Sequence, residues 1–137
     1  MLPHGHHVVA VAALVIQGDR VLAMRRAATN RAGPGLWETI SGRIEHGEEP
    51  LAAVRREISE ESGLTVDVEA RPFASYAAQR RGLPMIVVAF RARYLGGEVR
   101  LSDEHDAFAW VRAEEFRARS TLAPLVAVVE RSLREAW

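Results

Sequence analysis

Six of the chain's 14 glutamates fall between Glu45 and Glu61. Three of them, Glu57, Glu60 and Glu61, stand at i, i+3 and i+4. At about 100° per residue that spacing gathers three carboxylates within roughly a third of a helix circumference. Like charges so placed repel by a few tenths of a kcal/mol per pair. Either solvent screens them or a cation holds them together. The plain alternative is an acidic helix face balanced by Arg55 and Arg56. The chemical one is a site for a hard divalent ion such as Mg²⁺, which takes oxygen ligands from a few carboxylates and from substrate phosphates. Arg56 lies beside the cluster, where it can orient one of the carboxylates.

The elements that must carry these groups can be read from the pattern. Val8 to Ile16 reads as a buried strand, rich in Val and Ala. Gly18-Asp19 marks a turn, with Val21 to Met24 as the hairpin partner. Residues 27–36 form a loop punctuated by Gly33-Pro34-Gly35. Trp37 to Ile40 is a short strand leading into a glycine turn. The clearest helix starts at Pro50, carries Leu51, Val54 and Ile58 as an apolar stripe, and stops at Gly63. Val66 to Tyr76 and Met85 to Tyr94 read as strands around a loop at Gln79–Gly82. Phe108 to Val111 is a further short strand. Pro124 to Trp137 reads as a C-terminal helix, preceded by a short one at Ala113–Arg119. The expected class is α/β, a layered domain with a mixed sheet between helices.

The surrounding pattern decides between the two readings of the glutamates. Gly42 is followed by five residues and Glu48, then seven residues and Arg56-Glu57-Ile58-Ser59-Glu60-Glu61-Ser62-Gly63-Leu64. This resembles the signature of the Nudix hydrolases, GX5EX7REUXEEXGU with U aliphatic. All nine specified positions match over residues 42–64. The resemblance implies an α/β/α sandwich in which the box forms loop–helix–loop. It implies hydrolysis of a nucleoside diphosphate linked to another moiety. It also implies Mg²⁺ or Mn²⁺ held by Glu57, Glu60 and Glu61 with the main-chain carbonyl of Ser41. Gly42, Glu48 and Arg56 would then fix the loop and the ligand glutamates. The chain departs from the frequent Pro-Gly-Gly entry with Ser41-Gly42-Arg43, and Arg43 becomes a candidate phosphate contact.

Some Nudix members draw a further glutamate from a later loop. Glu104 stands six residues before Trp110, as in members related to the mutator-type nucleotide sanitisers. It is the candidate general base, with His105 as alternative base or substrate contact. Strand alternation sends one of Arg25 and Arg26 toward the site, and Arg25 is the expected phosphate contact. Trp37, Phe73, Tyr76 and Trp110 are candidates to stack on a base, with core packing the better reading of Trp110. The Gly33–Leu36, Gln79–Gly82 and Ser102–Asp106 loops are the expected substrate selectors. The Val126-Val128-Val129-Leu133 stripe reads as core or dimer contact.

Composition excludes other chemistries. The 137 residues contain no cysteine, which removes disulfides, thiolate catalysis and iron–sulfur clusters. All 18 basic residues are Arg, so Schiff-base and Walker-type lysine chemistry is absent. Net charge is zero and offers no global pull toward nucleic acid or membrane. No apolar run approaches the roughly 20 residues of a membrane helix, and no signal-peptide layout is present, so cytoplasmic is the default location. Residues 1–7 read as a flexible tail, with His4, His6 and His7 as a transition-metal alternative. The whole of 1–137 is then one domain, and base rate alone points to a homodimer.

The expected activity is Mg-dependent pyrophosphohydrolysis, with a nucleoside triphosphate giving monophosphate and pyrophosphate. Two alternatives stand beside it. One is a catalytically silent Nudix domain that senses a nucleotide, against which the chain keeps all three box glutamates. The other is an ADP-ribose or nucleotide-sugar hydrolase; such members often carry an extra N-terminal strand region, whereas about seven residues precede the first strand here.

Overall fold

A computed structural model describes residues 5–137. The elements in chain order are β1 (Val8–Gln17), β2 (Arg20–Arg26), β3 (Trp37–Glu38), β4 (Ile40–Arg43), α1 (Pro50–Ser62), β5 (Thr65–Val68), β6 (Ala74–Arg80), β7 (Leu83–Gly96), β8 (His105–Val111), α2 (Ala113–Arg119) and α3 (Ala123–Arg134). The strands form one mixed sheet. Its centre is the parallel pair β1–β7, in register from Val8↔Met85 to Ile16↔Arg93. The other pairings are antiparallel: β4 and β2 on β1, β3 and β8 on β2, β5 and β6 on β7.

Alternation along β1 explains the layers. Ala10, Ala12 and Leu14 face one side and pack with Phe116, Leu125, Val126 and Val129 of α2 and α3. Val11, Ala13 and Val15 face the other and pack with Ala53, Val54 and Ile58 of α1. A strand covered on both faces reads as an unbroken apolar run, as β1 does. The result is helix–sheet–helix, the expected α/β/α sandwich. The α3 stripe belongs to this core through Val126, Val128 and Val129. Among the described residues no helix is long and apolar enough to cross a membrane.

Several element boundaries differ from the sequence expectation, each for a local reason. The single strand expected over Val66–Tyr76 is two, β5 and β6, separated at Glu69–Phe73. Pro72 supplies no N–H to a ladder, while Glu69 N and Phe73 N donate to the carbonyls of Arg91 and Ala89 on either side of the break. The strand expected at Trp37–Ile40 breaks at Thr39, and Gly42 lies inside β4 rather than in a turn. The Gln79–Gly82 loop shrinks to Arg81-Gly82. Both residues have positive φ, 51° and 80°, as a two-residue type I′ hairpin requires. β8 begins at His105, so only the first part of Ser102–Asp106 is loop. α3 starts at Ala123 and ends at Arg134, short of the expected Trp137.

Candidate active site

Helix α1 brings the box to the sheet. Pro50 occupies its first turn, and Gly63 closes it at φ 69°, with its N–H donating to the carbonyls of Ile58 and Ser59. Glu57 and Glu61, one turn apart, adjoin the apolar stripe of Val54 and Ile58 and are buried with it. Glu60 falls on the other flank of the same face and stays exposed. The box glutamates therefore divide into two carboxylates at the sheet and one at the rim.

Gly42 makes the approach possible. A Cβ at this position would overlap the Glu57 carboxyl group. The backbone of β4 is thus the wall against which Glu57 lies. Arg56 clamps the outer side. Its Nε and Nη2 donate to the two oxygens of Glu48 at 2.8 and 2.9 Å, and its Nη1 donates to Glu57 at 2.8 Å and Glu60 at 3.3 Å. A fifth hydrogen bond, from Nη2, reaches the carbonyl of Arg43. The facing guanidinium holds the Glu48 carboxyl down at about 2. Glu48 orients Arg56, and Arg56 orients Glu57.

The inner side is built by residues outside the box. Glu38, at the end of β3, is 5% exposed. It accepts from Arg26 at 2.9 Å, Ser41 Oγ at 2.9 Å and His105 Nε2 at 2.9 Å. Burial favours its neutral form, but His105 and Arg26 outweigh burial and hold it below the usual carboxylate range. Because Glu38 only accepts, Nε2 of His105 carries the proton, and Nδ1 faces Glu61 Oε1 at 3.7 Å. Glu61 Oε1 accepts from Ser41 N at 3.4 Å. Burial, the hydrogen bond and charge of the adjacent Glu57, and the charges of Glu38 and Glu104 push its carboxyl well above the usual carboxylate range. Its Oε2 has no hydrogen-bond partner.

A buried, partnerless carboxylate oxygen beside a second carboxylate is what a cation relieves. The donor set is all oxygen and suits a hard divalent ion. Glu57 and Glu61 fit such an ion as they stand. Glu60 joins only if its exposed side chain turns inward, and among the described residues no three acidic or histidine side chains already surround one point.

A cavity of about 650 Å³ lies on the α2/α3 side of the sheet and meets this place through Glu38, Ser41 and Gly42; none of the box glutamates lines it. One end reaches Ser41 and Gly42. Its floor is Ala10 and Ala12 of β1 and Val87 of β7, small side chains that leave room above the sheet. Its walls include Tyr76 and Arg80 of β6, Arg26 with Leu36, and the start of α3 at Leu122–Leu125.

The sequence-predicted residues fall into place unevenly. The structure gathers Ser41, Gly42, Glu48, Arg56, Glu57 and Glu61. Glu104 is exposed, yet near enough for its charge to act on Glu61 and Arg80. Arg43 is exposed at the end of β4. Arg25 points elsewhere: it pairs with Asp106 at 2.7 Å and lies over Trp37. A register shift between Arg25 and Arg26 re-aims the strand, and it is Arg26 that lines the cavity. Of the four aromatics, Tyr76 lines the cavity, whereas Trp110 packs edge-on against Tyr94. Leu36, Gln79 and Arg80 of the expected selector loops line it, and no residue of Ser102–Asp106 does. Of the tail histidines, His4 lies outside the described residues. Sequence reasoning missed Glu38, for which a lone carboxylate in the run Trp37-Glu38-Thr39-Ile40 was the available sign, and reached Arg80 only as part of the Gln79–Gly82 selector loop.

A family model described as NUDIX domain matches residues 6–132. The chain belongs to the Nudix family. It is 36% identical over 114 residues to a MutT-like protein of Streptomyces ambofaciens, covering 82% of this chain and 69% of that one. It is 30% identical over 115 residues to the nucleoside triphosphatase NudI of Salmonella arizonae, covering 74% of this chain and 80% of that one. Among solved structures it matches the MutT protein of Methanosarcina mazei with a TM-score of 0.81 at 25% identity, over 97% of both chains. This Nudix protein is a hydrolase of phosphoric anhydride bonds, in a family that uses divalent metal ions and acts on small nucleotide substrates.

Proposed function

We propose that this Nudix protein is a Mg²⁺- or Mn²⁺-dependent pyrophosphohydrolase whose substrate is a nucleoside triphosphate, cleaved to monophosphate and pyrophosphate. One observation carries the reading: the cavity ends at Ser41 and Gly42, where Glu57 lies against the backbone of Gly42 and Ser41 N donates to Glu61 at 3.4 Å. Its volume is in the range of small-molecule sites, about 300–1,000 Å³. The apolar end near Leu122, Leu125 and Tyr76 takes the nucleoside, and the phosphates extend toward the carboxylates. The likeness to a nucleoside triphosphatase over most of both chains agrees with that choice.

In this reading Glu57, Glu60, Glu61 and the Ser41 carbonyl hold the ion. When bound, it supplies charge neutralisation for the phosphates and acidifies a water. Glu48 and Arg56 keep Glu57 against Gly42. Glu104 takes the proton of the attacking water. Arg43 contacts a phosphate; Arg25, committed to Asp106, does not.

The test is hydrolysis across canonical and oxidised nucleoside triphosphates, ADP-ribose, nucleotide sugars and dinucleoside polyphosphates, with wild type beside Glu61→Gln. Triphosphate turnover that is lost with EDTA and with Glu61→Gln is expected. Preferred turnover of ADP-ribose or a nucleotide sugar would replace the substrate assignment. Nucleotide binding without turnover would replace the catalytic one.

A further inference from the structure

Arg80 is a cavity residue that neither the box nor the phosphate candidates named above account for. Alternation along β6 turns Tyr76, Ala78 and Arg80 to the same face, and all three line the cavity. The tight Arg81-Gly82 turn follows at once and fixes the end of the strand, with Arg80 opposite Leu83. Its Nε is shielded from solvent and has no hydrogen-bond partner. Among the described residues no carboxylate forms an ion pair with it. Arg26, the other guanidinium in the wall, is committed to Glu38 and to the carbonyl of Ala32. Burial and the neighbouring guanidiniums of Arg43 and Arg26 destabilise the charge of Arg80, and the more distant Glu104 and Glu38 only partly offset them.

A guanidinium N–H shielded from water without an acceptor is costly unless something else supplies an oxygen atom. The cavity is open to a ligand, and an oxyanion matches the fork of donors. A phosphate chain reaching Glu57 and Glu61 also passes near carboxylates that repel it, so a nearby free cation is needed where Arg26 is already neutralised.

We propose that Arg80 is a substrate-binding residue that takes an oxyanion of the phosphate chain, with Arg43 as its cationic neighbour. The assignment rests on the nucleotide-hydrolase reading for its substrate, and on the cavity geometry for the anion.

Calorimetric titration of inorganic tripolyphosphate into wild type, Arg80→Met and Arg80→Lys tests it without requiring turnover, with melting temperatures measured in parallel. Arg80→Met should weaken binding at least tenfold with the melting temperature nearly unchanged. Arg80→Lys should recover part of the loss, because it restores charge but not the fork. The wild-type advantage should shrink as salt rises, as a charge contact requires. In turnover assays the same loss should appear in KM much more than in kcat, since a contact made equally in ground and transition states acts on binding. Binding within threefold of wild type in Arg80→Met, or no binding of tripolyphosphate by wild type, overturns the proposal. A wild type that hydrolyses no triphosphate but binds tripolyphosphate through Arg80 sinks the triphosphate reading and leaves the anion site standing.

Discussion

Gly42 is the residue on which the geometry of the carboxylates turns. Its missing side chain is the space that the Glu57 carboxyl occupies. Gly42→Ala would be absorbed by the flexible end of Glu57, so the fold survives while the carboxylate moves. A displacement near 1 Å in a catalytic constellation costs about a hundredfold. We expect kcat to fall by at least that much, with a melting temperature close to wild type in thermal denaturation. Glu48 gives a pH prediction of definite sign. Its folded pKa of about 2 lies below the model-peptide value of about 4.3. Its contribution to stability is therefore fully present above the unfolded pKa and is lost as pH falls toward 2. The stability difference between wild type and Glu48→Gln, followed by urea denaturation, should be flat from pH 8 to 5 and vanish below. A difference already gone at pH 5 would mean that the Arg56 clamp is not what holds Glu48 ionised. The box glutamates were legible because their spacing is local to one helix. Glu38 was not, because it meets the site only through strands paired across the sheet, and Arg80 was legible only as one residue of a selector loop.

At the scale of elements, the cavity depends on where α3 begins. Ser120, in the corner between α2 and α3, is buried. Its hydroxyl donates to the carbonyl of Trp37 at 2.8 Å and accepts from Leu122 N at 3.3 Å. One side chain thus joins β3 to the first turn of α3, whose Leu122 and Leu125 line the cavity. Ser120→Ala leaves both backbone groups short of a partner, at a cost of about 1–3 kcal/mol. The mutant should be less stable by that amount, with KM raised severalfold and kcat little changed. A stability loss with unchanged KM would show that the corner holds the fold but not the cavity. The helices and the central strand were readable because periodicity and end signals agreed: Pro50 and Gly63 bracket α1, and the Val8 run is apolar on both faces. The errors fell where one residue overrides a pattern. Pro72 splits β5 from β6, the Arg25/Arg26 shift reverses the expected choice of arginine, and Arg81 accepts a positive φ that would ordinarily mark glycine.

Across the whole molecule, the end of the chain is pinned to the sheet far along from the carboxylates. Arg91 of β7 is buried, and its guanidinium lies between the rings of Phe73 and Trp137, at 4.6 and 4.4 Å from their centroids. It donates to the carbonyls of Glu135 and Ala136 at 3.0 and 3.1 Å and pairs with Glu69 at 3.4 Å. Arg93 lies over Trp137 and Arg131 over Phe73, so the cluster ties β7, the approach to β6 and the C-terminal end of α3 together. Each cation–π contact contributes about 0.5–2 kcal/mol, more where desolvated. Arg91 lies opposite Leu14 on β1, whereas the cavity floor is at Ala10 and Ala12. The opposite end of α3 forms the cavity wall, and Val126, Val128 and Val129 anchor the helix between the two. Stability and substrate binding should therefore separate along this helix. Arg91→Met keeps much of the volume and removes every polar contact. We expect a loss of about 2–3 kcal/mol, a drop in melting temperature of very roughly 5–10 °C for a domain of this size, and KM and kcat within about threefold of wild type at 25 °C. A KM that rises along with the loss of stability would mean that the C-terminal cluster sets the position of the cavity wall as well as the integrity of the sheet.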